Sequence, residues 1–179
     1  MTDPELRKKL DGLIGKENAP RSIAPDRVNE AMIRHWADAL GDRNPVYTDP
    51  EAAAKSRFGA IVAPPVMLQT WTMPRPKIEG IVERGGIPME LKGEPPLRIL
   101  DELGYVGTVA TNSEFEIERY VHPGELLSST SVIEDISDEK QTGKGPGFFC
   151  TNLTTYYDEA GNVVGRQRFR ILKFKPQVG

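Results

Sequence analysis

The sequence predicts an α+β fold in which an antiparallel sheet wraps around a central helix. Three observations lead there. Apolar residues recur at helical spacing through the N-terminal third, an apolar run at 66–73 follows the pair Pro64-Pro65, and from residue 105 onward the pattern switches to strand alternation. Helices, then one buried helix, then a strand meander is the order expected when helices pack on one face of a sheet.

The elements follow in chain order. Pro4 to Ile14 reads as an amphipathic helix, with Leu6, Leu10, Leu13 and Ile14 on one face and Gly15 placed to end it. Residues 16–24 hold a short first strand. Pro25 opens a second helix with Asp26 in its first turn. Val28, Met32, Trp36 and Leu40 repeat every four residues along it, and Gly41 closes it. Asp42 to Tyr47 is rich in turn formers, and Pro50 to Ser56 is a short Ala-rich helix capped by Asp49. Val66 to Met73 is the buried helix, and proline is tolerated in its first turn because those N–H groups lack intrahelical partners.

Residues 74–96 form an irregular insert with five prolines and four glycines, long enough to be either functional or disordered. Pro96 to Leu103 adds a helical turn or two. Phe115, Ile117 and Val121 then alternate with Glu114, Glu116 and Glu118. Runs at 126–136, 148–157 and 163–174 complete about four long antiparallel strands, with Asp158 to Asn162 as the last hairpin turn.

The chain of 179 residues suits one domain spanning 1–179. Its 23 basic and 26 acidic residues give a net charge of −3, which does not attract nucleic acid broadly. Cys150 is the single cysteine, so no internal disulfide forms, and a reducing cytoplasm is expected. The N-terminus lacks the apolar stretch of a signal peptide, and no apolar run is long enough to span a bilayer. One cysteine and two separated histidines offer no metal cluster.

Two stretches carry a family resemblance. The first runs from Trp36 through Gly41-Asp42-Arg43-Asn44-Pro45-Val46-Tyr47 and Ser56-Arg57-Phe58-Gly59 to Ile61-Val62-Ala63-Pro64-Pro65-Val66-Met67. It resembles the hydratase signature of MaoC-like proteins, G-D-x-N-P-x-H followed by S-R-F-G and I-A-H-G-M. The second, Arg119 to Leu126, is similar to the family's R-x-x-x-P-G-D-x-L. The wording Ala63-Pro64-Pro65 and the Pro-rich insert resemble the FAS1-like dehydratase N-terminal branch. Glu139 to Gly143 and Gln167 to Lys173 resemble the larger subunit of heteromeric steroid-type enoyl-CoA hydratases.

The resemblance implies a hot-dog fold, a long helix rolled inside a curved sheet. It also implies dimers whose sheets join, with an acyl-CoA tunnel at the interface. In active members the Asp and His of D-x-N-P-x-H share a water that adds across a trans-2-enoyl-CoA or leaves a 3-hydroxyacyl-CoA, and the N–H at the Gly of A-H-G binds the thioester oxygen. Coenzyme A enters only as part of the substrate, and no separate cofactor is implied.

Asp42, Asn44 and Pro45 match that motif, while Tyr47 stands at the His position. A phenol with pKa near ~10 is a poor base at neutral pH, although it can donate a hydrogen bond. Pro65 stands at the Gly position and has no N–H. The chain therefore reads as the degenerate subunit of a heteromeric enoyl-CoA hydratase, shaping the acyl tunnel for a bulky acyl group while a MaoC-like partner supplies the chemistry. Two alternatives stand beside it: a self-sufficient hydratase or dehydratase working as a homodimer through Asp42, and an acyl-CoA binding or scaffolding module without turnover.

Each residue also has a structural reading. Asp42 can simply cap a turn, Tyr47 can be packing, and His35 and His122 lie off the catalytic position. Pro65, Val66, Met67 and Trp71 either line the acyl site or fill the core. Arg166, Arg168 and Arg170 alternate on one strand face, which either meets coenzyme A phosphates or faces solvent.

Overall fold

The computed structural model describes residues 2–83 and 96–176. Its order is α1 (Pro4–Asp11), β1 (Glu17–Ile23), α2 (Glu30–Leu40), α3 (Pro50–Lys55), α4 (Leu68–Thr72), α5 (Arg98–Glu102), β2 (Gly107–Ile117), β3 (Ser128–Ile136), β4 (Lys140–Thr142), β5 (Gly145–Tyr157) and β6 (Val163–Phe174). One antiparallel sheet runs β1-β3-β5-β6-β2, with the short β4 paired to β5.

Several boundaries differ from the sequence reading, each for a local reason. α1 stops at Asp11 because the chain passes through turns at Leu13 and Ile14 before Gly15 takes a positive φ of 81°. α2 starts at Glu30 rather than Asp26. Residues 24–28 are kept out of the helix by Ala24 N–H donating to Leu127 O (2.9 Å) and Val28 N–H to Glu125 O (2.9 Å), and Asn29 then caps the helix by accepting from Met32 N–H at 2.9 Å. β2 runs from Gly107 to Ile117, so Val121 lies outside it. The long central helix is shortened to a 3-10 turn, Pro65–Met67, plus the five residues of α4. It ends where Met73 turns extended ahead of Pro74, since the residue before proline disfavours the helical region. Residues 84–95 of the Pro/Gly-rich insert lie outside the described residues, and the 74–83 portion carries no helix or strand.

The concave face of the sheet holds two apolar clusters. One gathers Ile33 and Ala53 with Met67, Leu68 and Trp71, and closes on Leu127, just before β3, and on Tyr156 and Val164 of the sheet. The other packs Leu10 of α1 and Leu100 of α5 on Ile133, Ile136, Phe148 and Cys150. Lys173, itself buried, donates to Asp101 and ties α5 to β6. Gly165 on β6 lets α4 approach: a Cβ there would lie 2.7 Å from Leu68 Cδ1 and 2.8 Å from Glu116 O.

Candidate functional site

The turn after α2 is built by its own polar residues. Gly41 takes a φ of 66°, which suits glycine, and Asp42 N–H donates to Ala37 O at 2.8 Å. Asp42 Oδ1 accepts from Asn44 N–H at 3.0 Å, and Asn44 Oδ1 accepts from Val46 N–H at 3.3 Å. Both side chains are exposed. Asp42 opens onto a shallow cleft shared with Arg34, Asp38 and Arg43.

Tyr47 is 8 % exposed, in the apolar cluster that includes Met67 and Trp71. Burial, with Tyr120 and Asp42 adding to it, pushes its phenol above the ordinary value, while a hydrogen bond with Asn44 acts in the opposite sense. At neutral pH Tyr47 is therefore a neutral O–H group and not a base. Pro65 opens the 3-10 turn with no N–H to offer. Met67 and Trp71 are buried, whereas Val66 is 43 % exposed. The indole Nε1 of Trp71 has no acceptor among the described residues.

The structure joins the two motif stretches. Ala63 N–H donates to Val121 O at 2.9 Å, His122 Nδ1–H meets Ile61 O at 2.9 Å, and the Phe58 and Tyr120 rings lie 4.6 Å apart. Arg119 binds Glu125 at 2.7 Å and Asp158 at 3.1 Å, and Glu125 accepts His122 N–H at 2.6 Å. Burial raises the Glu125 carboxyl, but the Arg119 and His122 hydrogen bonds outweigh it and hold the group below its ordinary value. This clamp gives the Arg-x-x-x-Pro-Gly-Glu pattern a structural role: it fixes the turn against which residues 61–63 lie. His35 is exposed on α2, away from the turn at Asp42.

Arg168 and Arg170 fall on the convex face of the sheet, opposite the helices, in register with Glu114 and Asn112 of β2. Arg168 pairs with Glu134 at 2.9 Å, Arg166 with Glu118 at 2.6 Å, and Arg170 Nε donates to Thr151 Oγ1 at 3.2 Å. Tyr47 thus links the exposed turn of Asp42 and Asn44 to the buried cluster of Met67 and Trp71, while Arg168 and Arg170 lie apart on the convex face.

A feature missed in the sequence lies on the concave face. Between the two apolar clusters the inner positions turn polar: Ser129 and Ser131 on β3, Asn152 and Thr154 on β5, and Gln167 on β6. They line a groove of about 260 Å³ that also touches Gln69, Thr72 and Met73 at the end of α4. They stand at every second position of strands whose other inward residues are apolar. Alternation alone does not say which face of each strand turns inward, so these polar positions carry no signal of a shared groove. Among the described residues no group of His, Cys, Asp or Glu is placed to hold a metal ion, and no helix is long and apolar enough to cross a membrane.

Comparisons with known proteins agree with this architecture. Residues 13–167 match the family described as FAS1-like, dehydratase domain region. A probable enoyl-CoA hydratase alpha subunit from Thermomonospora curvata is 40 % identical over 185 residues, covering 99 % of this chain and 54 % of the relative. The 3-oxo-4,17-pregnadiene-20-carboxyl-CoA hydratase alpha subunit of Mycobacterium tuberculosis is 40 % identical over 155 residues, covering 86 % of this chain and 47 % of the relative. The chain thus spans about half the length of these two relatives. A chain in the crystal structure of the ChsH1-ChsH2 complex from Mycobacterium tuberculosis superposes with a TM-score of 0.81 at 34 % identity, over 98 % of this chain and 94 % of that one. The (R)-hydratase from A. caviae shares the fold, with a TM-score of 0.55 at 15 % identity over 88 % of this chain and 96 % of that one. The antiparallel sheet, the short helix across its concave face and these matches together place the chain in the FAS1-like, MaoC-like dehydratase family with a hot-dog fold.

Proposed function

We propose that this chain is the non-catalytic hot-dog unit of a heteromeric enoyl-CoA hydratase, acting on an acyl-CoA thioester in the cytoplasm. The observation that carries the reading is a double loss at one site. Tyr47 is a buried, neutral phenol where hydration needs a base, and Pro65 has no N–H where the thioester oxygen needs a donor. One such donor contributes about 3 kcal/mol to comparable chemistry, so its loss alone costs roughly a hundredfold in rate. Asp42, the one acidic motif residue retained, spends an oxygen on the Asn44 N–H and is exposed to solvent. Coenzyme A belongs to the substrate, and no other cofactor is required.

Two further observations support a partner. The relatives at 40 % identity are named as alpha subunits, and the neighbour at 0.81 TM-score comes from a two-component complex. Strand β2 ends the sheet with eleven residues, most of them exposed, and among the described residues no strand pairs with its outer edge. The opposite edge, β1, is a poorer template because its pairing with β3 is interrupted twice. In this reading the short α4 leaves the concave face open enough for a bulky acyl group.

The test is reconstitution. The chain, co-expressed with a MaoC-like chain carrying intact D-x-N-P-x-H, is assayed for hydration of a ring-bearing trans-2-enoyl-CoA. Turnover by the pair that depends on both chains supports the reading. Failure to associate with such a chain, or turnover by this chain alone, overturns it.

A further inference from the structure

We infer that two copies of this chain dock convex face to convex face, with Arg170 of each copy set against Glu114 of the other. The surface lies on the opposite side of the sheet from Tyr47 and Pro65, and the inference does not depend on the acyl-CoA reading above.

The outward side of β5 is the first observation. Phe149, Thr151, Leu153 and Thr155 face outward, in register with Leu172, Arg170, Arg168 and Arg166 of β6. None of these four β5 residues is charged. Phe149 and Leu153 stay partly exposed, as does Val132 of β3 directly beside Leu153. An antiparallel sheet with one face on the core ordinarily turns polar residues to water on the other. Here an apolar stripe runs through the middle of the outer face, with charged columns beside it. An apolar, aromatic centre bordered by arginine is the composition of a protein interface.

The second observation is the charge pattern. β6 presents Arg166, Arg168 and Arg170, and the neighbouring β2 presents Glu116, Glu114 and Asn112 at the same levels. Arg166 pairs with Glu118 at 2.6 Å and Arg168 with Glu134 at 2.9 Å, while Glu116 lies 3.7 Å from the first and 3.8 Å from the second. Arg170 and Glu114 are left over. Arg170 is exposed and turns its Nε to Thr151 Oγ1 at 3.2 Å, away from β2, and among the described residues it meets no carboxylate. Glu114 is exposed too, and among the described residues it meets no cation, only the Asn112 amide at 3.5 Å.

Two unspent charges of opposite sign, one strand and two residues apart on one face, make that face its own complement. A two-fold axis that exchanges their positions forms the Arg170–Glu114 contact twice, as an isologous interface requires. On a flat lattice of strands ~4.8 Å apart, with same-face residues ~6.8 Å apart, that axis passes within about 2 Å of Leu153. The apolar stripe therefore meets its own counterpart at the centre of the contact. Because the face carries both signs, it suits neither a polyanion nor a polycation, and a second copy supplies the same signs in exchanged positions.

Sedimentation of the full chain over a concentration series tests this. The wild type is expected to associate by one doubling more than either Arg170→Glu or Glu114→Arg, each of which sets like charges together and weakens that step at least about tenfold. Mixed in equal amounts, the two variants should recover the step, since one chain is then acidic at both positions and the other basic at both. Recovery separates a reciprocal contact from damage to the fold, which mixing cannot repair. Pairing at the β2 edge does not involve position 170 and leaves the comparison intact. A wild type that associates no further than Arg170→Glu, or a mixture that assembles no better than its components, overturns the inference.

Discussion

Tyr156 donates its hydroxyl proton to Gln167 Oε1 at 2.7 Å, and both side chains are almost wholly enclosed, at 1 % and 2 % exposure. The bond spans the boundary between the apolar cluster under α4 and the polar groove beside it. Replacing Gln167 by Leu would leave the phenol O–H, Gln69 and Ser113 without their partner. The expected loss is about 1–3 kcal/mol in urea unfolding. Tyr156→Phe combined with Gln167→Leu should cost less than the sum of the single changes, because the unpaired hydroxyl is then gone.

Gly165 tests the packing of the short central helix. A Cβ there would press Leu68 Cδ1 at 2.7 Å and Glu116 O at 2.8 Å, and the second contact is backbone that cannot rotate away. Gly165→Ala is expected to destabilise by about 1–3 kcal/mol, read as a lower urea midpoint with an unchanged slope.

The clamp between Arg119 and Glu125 predicts part of the acid sensitivity. The folded carboxyl lies below its ordinary value of 4.5 despite burial, through the Arg119 and His122 hydrogen bonds. A depressed folded pKa means that its contribution is complete above the unfolded pKa and disappears as pH falls through the folded one. Glu125→Gln should therefore cost stability near neutral pH, about 1–2 kcal/mol after allowing for the 39 % exposure of Arg119. The gap between variant and wild type should close as the pH is lowered below 4.5, as denaturant melts across that range would show.

Cys150 provides a reporter of global opening. Its side chain is fully enclosed and burial pushes the thiol up to about 12, with Asp135 adding while Lys173 and Arg7 act the other way. A thiol reagent at mildly alkaline pH should label the unfolded chain rapidly and the folded chain only at its opening rate.

Much of this architecture was legible in the residues. The five helices, the first strand and four long C-terminal strands follow from periodicity and from punctuation by Gly41, Asp49 and the Asp158–Asn162 turn. What local pattern did not carry was long-range pairing. The start of α2 is delayed because Val28 pairs with Glu125, nearly a hundred residues away. The candidate site was legible at Tyr47 and Pro65 only as an expectation drawn from single residues, a phenol and a nitrogen without hydrogen. It was not legible at Gln167 and Asn152, whose meaning depends on which face of a curved sheet each strand turns inward. The arginines 168 and 170 show the same difficulty from the other side, since alternation put them on one face without saying that it was the convex one.

On the proposed reading, Tyr47 supplies no working base and Pro65 no oxyanion donor. The most direct measurement is the initial rate at which the purified chain, with no other protein present, hydrates a trans-2-enoyl-CoA at neutral pH. The account predicts a rate indistinguishable from buffer, unchanged by Asp42→Asn. Saturable turnover by the chain alone that vanishes in Asp42→Asn would contradict it.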